Sequence, residues 1–149
     1  MTHRILIVCL GNICRSPTAE AILRQKAEAA GLKLEIDSAG TGDWHIGEPP
    51  YPAMIDAAKT AGYDLSALRA RQVTPADFDR FDLILAADPQ NLADLEAMRP
   101  PGNLTPIELF APYANGPDTE VPDPYHTRDF DGALALIERA SDGLIAQLQ

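Results

Sequence analysis

The stretch Ile5-Leu6-Ile7-Val8-Cys9-Leu10-Gly11-Asn12-Ile13-Cys14-Arg15-Ser16-Pro17 decides the fold. Its first four residues make a continuous β-branched and apolar run, bounded by polar residues and by Gly11, which is the pattern of a strand covered on both faces. After the loop, Ala19, Leu23, Ala27 and Ala30 recur at helical spacing. Ser16 is placed as the N-cap of this helix, Pro17 as its first residue and Gly31 as its stop. A buried strand passing through a tight loop into a helix opens a parallel α/β sheet, and ligands in such sheets sit beyond the carboxyl ends of the strands. The site is therefore expected just after Val8.

Downstream, the alternation continues. Leu32 to Ile36 reads as a second strand, followed by a loop over Asp37-Ser38-Ala39-Gly40-Thr41-Gly42. Pro52 to Ala61 reads as a helix ended by Gly62, and Thr74-Pro75-Ala76-Asp77 as the capped start of a short one. Phe81 to Ala87 is a third strand. Asp88 then caps a helix that enters at Pro89 and carries Leu92, Leu95 and Met98 on one face. Thr105 to Phe110 is a fourth strand, Pro112 to Pro124 a proline-rich connection, and the last helix is amphipathic through Leu134, Ile137, Leu144, Ile145 and Leu148. The expected fold class is α/β in three layers: a four-stranded parallel sheet, helices on both faces, and a phosphate-binding loop after strand one. At 149 residues the chain is expected to form one domain over 1–149.

Composition narrows the function. Hydrophobic residues at 46% and charged ones at 23% are those of a folded globular chain, not of a disordered or disulfide-built one. With 22 acidic against 12 basic side chains the net charge is -10, which repels nucleic acid in the absence of a basic patch. The N-terminal apolar run Ile5 to Leu10 is too short for a membrane span or a signal peptide, so a cytoplasmic protein with no membrane partner is expected. Cys9 and Cys14 lie too close together for a stapling disulfide to stabilise much, which favours chemistry for both. His3, His45 and His126 are scattered, no Cys/His spacing fits zinc, and neither metal nor cofactor is expected.

The loop itself suggests what that chemistry is. A helix start presents unpaired backbone N–H groups and a partial positive charge, so amides wrapped over Leu10, Gly11, Asn12, Ile13, Cys14, Arg15 and Ser16 would form a phosphate-sized oxyanion cradle. Cys9 stands at its mouth, where that field and Arg15 favour the thiolate, the reactive form. Arg15 can return across the loop and hold two phosphoryl oxygens bidentately. Ser16 can donate its hydroxyl to the sulfur. A Walker loop requires Gly-x4-Gly-Lys-Ser/Thr, which is absent, and Gly40-x-Gly42 has His45 where a dinucleotide fingerprint needs its third glycine. The plain alternative for Cys9 is a small hydrophobe ending a strand. Its place between a strand and a Ser-Pro helix start favours the nucleophile.

Val8-Cys9-Leu10-Gly11-Asn12-Ile13-Cys14-Arg15-Ser16-Pro17 followed by Ala19-Glu20, together with Val121-Pro122-Asp123-Pro124-Tyr125, resembles the low-molecular-weight protein tyrosine phosphatase family. Asp37-Ser38-Ala39-Gly40-Thr41, Ala70-Arg71-Gln72 and Phe81-Asp82 resemble internal landmarks of the same family, in the same order. The resemblance implies a phosphotyrosine-containing protein as substrate, inorganic phosphate as product, Cys9 as nucleophile, Arg15 as clamp and Asp123 as general acid. A phenol has a pKa of about 10 and leaves poorly without a proton. Asp123, stiffened between two prolines, is placed to supply one. Tyr125 and Trp44 resemble the family's aromatic walls, with Ile13 and His126 completing the pocket. Asn12, Ser16 and Ser38 resemble its bracing residues, and Asp88 both caps a helix and is a candidate to face Arg15. Cys14 is a candidate redox partner for Cys9.

Three departures from the family pattern stand out. Leu68 occupies a position where many members carry a histidine supporting the loop asparagine, which leaves the bracing of Asn12 open. Ala87 replaces a common methionine, and His126 follows Tyr125 where a second aromatic ring is frequent. Rival chemistries on the same scaffold are also defined by residues. A thiol-dependent arsenate reductase uses additional downstream cysteines, and this chain has no third cysteine. A protein-arginine phosphatase carries threonine at the position of Ile13, whose apolar side chain favours an aryl ester. A phosphotyrosine-binding module without activity would lose nucleophile or acid, and both are present.

Overall fold

The computed structural model describes residues 3–149. Strands β1 (His3–Cys9), β2 (Leu34–Gly40), β3 (Leu83–Ala86) and β4 (Ile107–Leu109) form one parallel sheet in the order β2-β1-β3-β4. The helices are α1 (Arg15–Ala29), α2 (Pro52–Thr60), α3 (Asp77–Arg80), α4 (Pro89–Met98), α5 (Pro124–Thr127) and α6 (Phe130–Leu148), with a single 3-10 turn at Ala111–Ala114. This is the α/β architecture that the alternation of strand and helix patterns predicts.

β1 shows why its sequence is apolar throughout. Ile5 and Ile7 point into a core shared with Ile22 and Leu23 of α1, Met54 of α2 and Ile137 of α6. Leu6 and Val8 point the other way, against Phe78 of α3, Ile84 of β3 and Leu95 of α4. All four strand residues are fully buried, each contributing roughly 1.5–3 kcal/mol of burial free energy. The chain leaves β1 for β2 on one side, through α1, and reaches β3 on the other. The crevice at the carboxyl end of β1 is thus the switch point where the connections diverge.

Several boundaries differ from the sequence expectation, each for a physical reason. α1 begins at Arg15, with Cys14 at the cap position, so Ser16 lies inside the first turn and caps nothing. Pro17 is the third helical residue, where its missing N–H is still one of the unpaired first four. The predicted stop at Gly31 is observed: at φ +71 it lets its own N–H reach Glu28 and that of Leu32 reach Ala27, both carbonyls otherwise orphaned. β2 starts at Leu34 and runs to Gly40 instead of ending at Ile36, because its polar second half pairs with β1 residue for residue. β4 is confined to Ile107–Leu109. The proline-rich connection holds the 3-10 turn and leads into α5, neither of which shows an apolar period to detect.

Candidate active site

Two backbone features give the loop between β1 and α1 its shape. Asn12 sits in the left-handed region at φ 57, a conformation asparagine tolerates better than most residues. Gly40, at the end of β2, packs so closely that a Cβ would lie 2.7 Å from the Leu10 carbonyl oxygen. The Asn12 side chain fixes the rest. Its amide donates to Ser16 Oγ at 2.8 Å and Ser38 Oγ at 2.9 Å, and its carbonyl accepts the Arg71 N–H at 3.0 Å. Ser38 in turn donates to the buried Glu20 at 2.6 Å, and Arg24 closes the chain on the other Glu20 oxygen at 2.8 Å. Asn12 is therefore fully hydrogen-bonded with Leu68 in place. Leu68 itself packs against the apolar core instead.

Cys9 Sγ lies 2.9 Å from Ser16 Oγ and 3.3 Å from the Asn12 N–H. Since Ser16 Oγ already accepts the Asn12 amide, its own proton is available for the sulfur, with the Ala39 carbonyl a more distant competitor at 3.4 Å. The N-terminus of α1 has no side-chain cap. Among the described residues the backbone N–H groups of Leu10, Gly11, Ile13, Cys14, Arg15 and Ser16 donate to no protein acceptor. This is the arrangement in which a helix start holds an anion.

Arg15 is buried, and Asp88 and Val121 hold it in place. One terminal nitrogen donates to Asp88 Oδ2 at 2.7 Å and to the Val121 carbonyl at 3.0 Å, while the other is 3.6 Å from Asp123 Oδ2. Burial opposes its charge, but Cys9, the bond to Asp88 and the nearby Asp123 outweigh it and hold the guanidinium above its ordinary value. Asp88 does both tasks expected of it, accepting the Asn91 N–H at 2.8 Å as the cap of α4 while fixing Arg15.

A backbone relay sets the height of Asp123. Ala87 donates to the Val8 carbonyl, Val121 donates to the Ala87 carbonyl, and the Val121 carbonyl receives Arg15. Ala87 acts here through its main chain, which any residue at that position supplies. Asp123 then caps α5, accepting the Tyr125 N–H at 3.1 Å. His126 Nε2 stands 3.9 Å from the same carboxylate.

These elements enclose a cavity of about 190 Å³. Its floor is Cys9, Leu10, Gly11, Ile13, Cys14 and Arg15, and its walls and rim are Trp44, His45, Asp123, Tyr125 and His126. Asn12, Ser16, Ser38 and Asp88 stand behind the floor. Trp44 is 68% exposed and Tyr125 42%, so neither ring is packed into the core. The structure thus brings every sequence-predicted residue to this site or its support. Cys14 is a free, buried thiol. Burial, with Cys9 and Asp123 adding to it, pushes that thiol up to about 12 despite Arg15 and Arg128.

Three residues escaped the sequence reading. His45 lies against Gly11, its ring 3.1 Å from where a Cβ would stand, and its Nδ1 is 2.6 Å from Glu48. Tyr51 donates its N–H to the Ile13 carbonyl at 2.8 Å and meets Tyr125 edge-on at 5.4 Å. Arg128 bonds the Tyr51 hydroxyl at 2.8 Å. Only the i,i+3 spacing of His45 and Glu48 carried any local signal.

The family model for low molecular weight phosphotyrosine protein phosphatase matches residues 4–149. The chain is 42% identical over 148 residues to the low molecular weight protein-tyrosine-phosphatase YfkJ of Bacillus subtilis, covering 97% of this chain and 95% of that one. The crystal structure of YfkJ superposes with a TM-score of 0.94, covering 100% of this chain and 96% of the other at 40% identity. A low molecular weight phosphotyrosine protein phosphatase of Schizosaccharomyces pombe is 43% identical over 127 residues, 83% of this chain and 81% of that one. The crystal structure of a Drosophila arginine phosphatase is also similar, with a TM-score of 0.91 at 31% identity and 97% of both chains covered.

Proposed function

The chain belongs to the low molecular weight phosphotyrosine protein phosphatase family, and from that premise we propose that it hydrolyses phosphotyrosine in proteins through a cysteinyl-phosphate intermediate. One observation carries the reading: a sulfur supported by Ser16 and an amide opens into the same cavity as an anchored arginine and a carboxyl group. The phosphate of the ester docks on the unpartnered loop amides and the Arg15 guanidinium. Its phenyl ring stands between Trp44 and Tyr125. Cys9 attacks phosphorus and the bond from phosphorus to the phenolic oxygen breaks, while Asp123 gives that oxygen its proton. Asp123 then takes a proton from water, the water oxygen bonds to phosphorus, and the sulfur leaves as thiolate with inorganic phosphate released. Ser16, donating to the sulfur, stabilises it as nucleophile and as leaving group. These steps call for no cofactor.

The arginine-phosphatase neighbour makes the leaving group the point to test. Ile13, 7% exposed in the cavity floor, offers an apolar contact suited to a phenyl ring and gives a polar guanidine nothing to bond. Turnover of a phosphotyrosine peptide, a phosphoarginine peptide and arsenate, with a thiol present and no metal added, is expected to favour phosphotyrosine clearly. Preferential turnover of phosphoarginine, or arsenate reduction, would refute the proposed substrate class.

Cys14 belongs to this reading as a resolving thiol. A peroxide-oxidised Cys9 carries a sulfenic acid, and attack by the Cys14 sulfur would form a disulfide and release water before irreversible oxidation proceeds. Because burial holds the Cys14 thiol above its ordinary value, it reacts from a small thiolate fraction, and the capture is expected to be slow at neutral pH. Cys14→Ser is expected to lose the activity that dithiothreitol restores to the peroxide-treated native enzyme. Equal recovery in both would leave Cys14 as packing.

A further inference from the structure

Asn12, Asn115 and Arg128 are the non-glycine residues with positive φ among those described. Asparagine accommodates that region, whereas a long side chain without a local bond to its own backbone does not. At φ 64, Arg128 occupies a left-handed position directly after α5 where glycine would be free of strain. Its side chain explains what the backbone tolerates. The guanidinium donates to Tyr51 Oη at 2.8 Å and stands 5.4 Å from the centre of the Tyr51 ring and 5.7 Å from that of Tyr125. It is thus an exposed cation clamped on the aromatic wall of the cavity.

The carboxylates nearest it along the chain are committed elsewhere. Asp123 faces Arg15 and the Tyr125 N–H, and Asp129 caps α6 through the Gly132 N–H. Among the described residues none of them, nor any other carboxylate, pairs with Arg128. In a protein of net charge -10, this leaves a preorganised guanidinium with no carboxylate partner beside Tyr125, a residue of the cavity lining. A peptide whose phosphotyrosine enters beside Tyr125 advances about 3.3–3.6 Å per residue when extended, which brings side chains one or two positions away within its reach.

Resting on the phosphotyrosine reading above, we infer that Arg128 is a specificity-determining residue that selects phosphotyrosines flanked within two positions by Asp or Glu. The planar fork of the guanidinium suits a carboxylate bidentately, and two rings restrict its rotation before the substrate arrives.

Matched phosphotyrosine peptides with Asp, Asn or Lys at the flanking positions test this on the native enzyme, Arg128→Gly and Arg128→Lys. Glycine suits the left-handed backbone, and this relief offsets part of what the lost contacts to Tyr51 and Tyr125 cost, so the first variant is expected to fold. The native enzyme is expected to favour Asp over Asn about two- to fivefold in kcat/KM, through KM, with the preference shrinking at high salt. Arg128→Gly is expected to bring that ratio to one, and Arg128→Lys to keep part of it. Because the readout is a ratio within each enzyme, a change to the pocket common to both peptides cancels. A native ratio of one, or a native-like ratio kept by Arg128→Gly, would overturn the inference while leaving the phosphatase reading intact. Failure to turn over any of the peptides would overturn the phosphatase reading, and the inference with it.

Discussion

Asp123→Ala is expected to slow formation of the phosphoenzyme from a phosphotyrosine peptide on the order of 10²- to 10⁴-fold. The size follows from the leaving group: an unprotonated phenolate of pKa about 10 departs poorly, and among the described residues only this carboxyl lines the cavity, fixed by its cap bond to Tyr125. An aryl phosphate with a much more acidic phenol needs less help and is expected to lose correspondingly less. A leaving-group series followed by pre-steady-state bursts separates phosphoenzyme formation from its hydrolysis. Native enzyme should depend weakly on leaving-group pKa and the variant steeply. Equal slopes would move the acid elsewhere, with His126, 3.9 Å from the same carboxylate, the next residue to change.

Cys9→Ser is expected to lose turnover on the order of 10⁴- to 10⁶-fold, the scale of removing a covalent nucleophile whose partners work as a unit. A serine hydroxyl there would meet Ser16 Oγ and the Asn12 N–H, and among the described residues neither of these contacts is a base able to take its proton. Phosphate or vanadate should still bind, because the amides of the loop and Arg15 hold the oxyanion and neither depends on the sulfur. Isothermal titration of either anion into the variant checks this. Loss of anion binding together with turnover would mean that Cys9 shapes the loop as well as attacking.

What could be read from the chain beforehand divides by distance along it. β1 announced itself because both its faces are buried, and the clamp and nucleophile because they share one short loop. The second half of β2 looked like loop because its polar side chains are satisfied by distant partners: Ser38 by Asn12 and Glu20, Asp37 by Arg71. Ser16 looked like a helix cap because Ser-Pro usually is one. Here the helix starts two residues earlier, after the left-handed turn at Asn12, and the hydroxyl is turned to the sulfur. Arg15 meets Asp88 and Val121 across 73 and 106 residues, a link that no local pattern encodes. His45 and Arg128 are loop residues whose neighbours exist only in the folded chain. Asp123 was found through its resemblance to a known pattern, since an Asp-Pro step alone reads as a turn.

The central claim is a covalent phosphate on Cys9, and rapid acid quenching tests it most directly. Native enzyme mixed with a phosphotyrosine peptide, quenched within the burst and digested, is analysed by mass spectrometry for the site of phosphorylation. The expected result is one phosphoryl group on the Cys9 peptide in the native enzyme and none in Cys9→Ser. A full burst of product with no phosphoryl group on Cys9, or phosphate found on any other residue, would contradict the account.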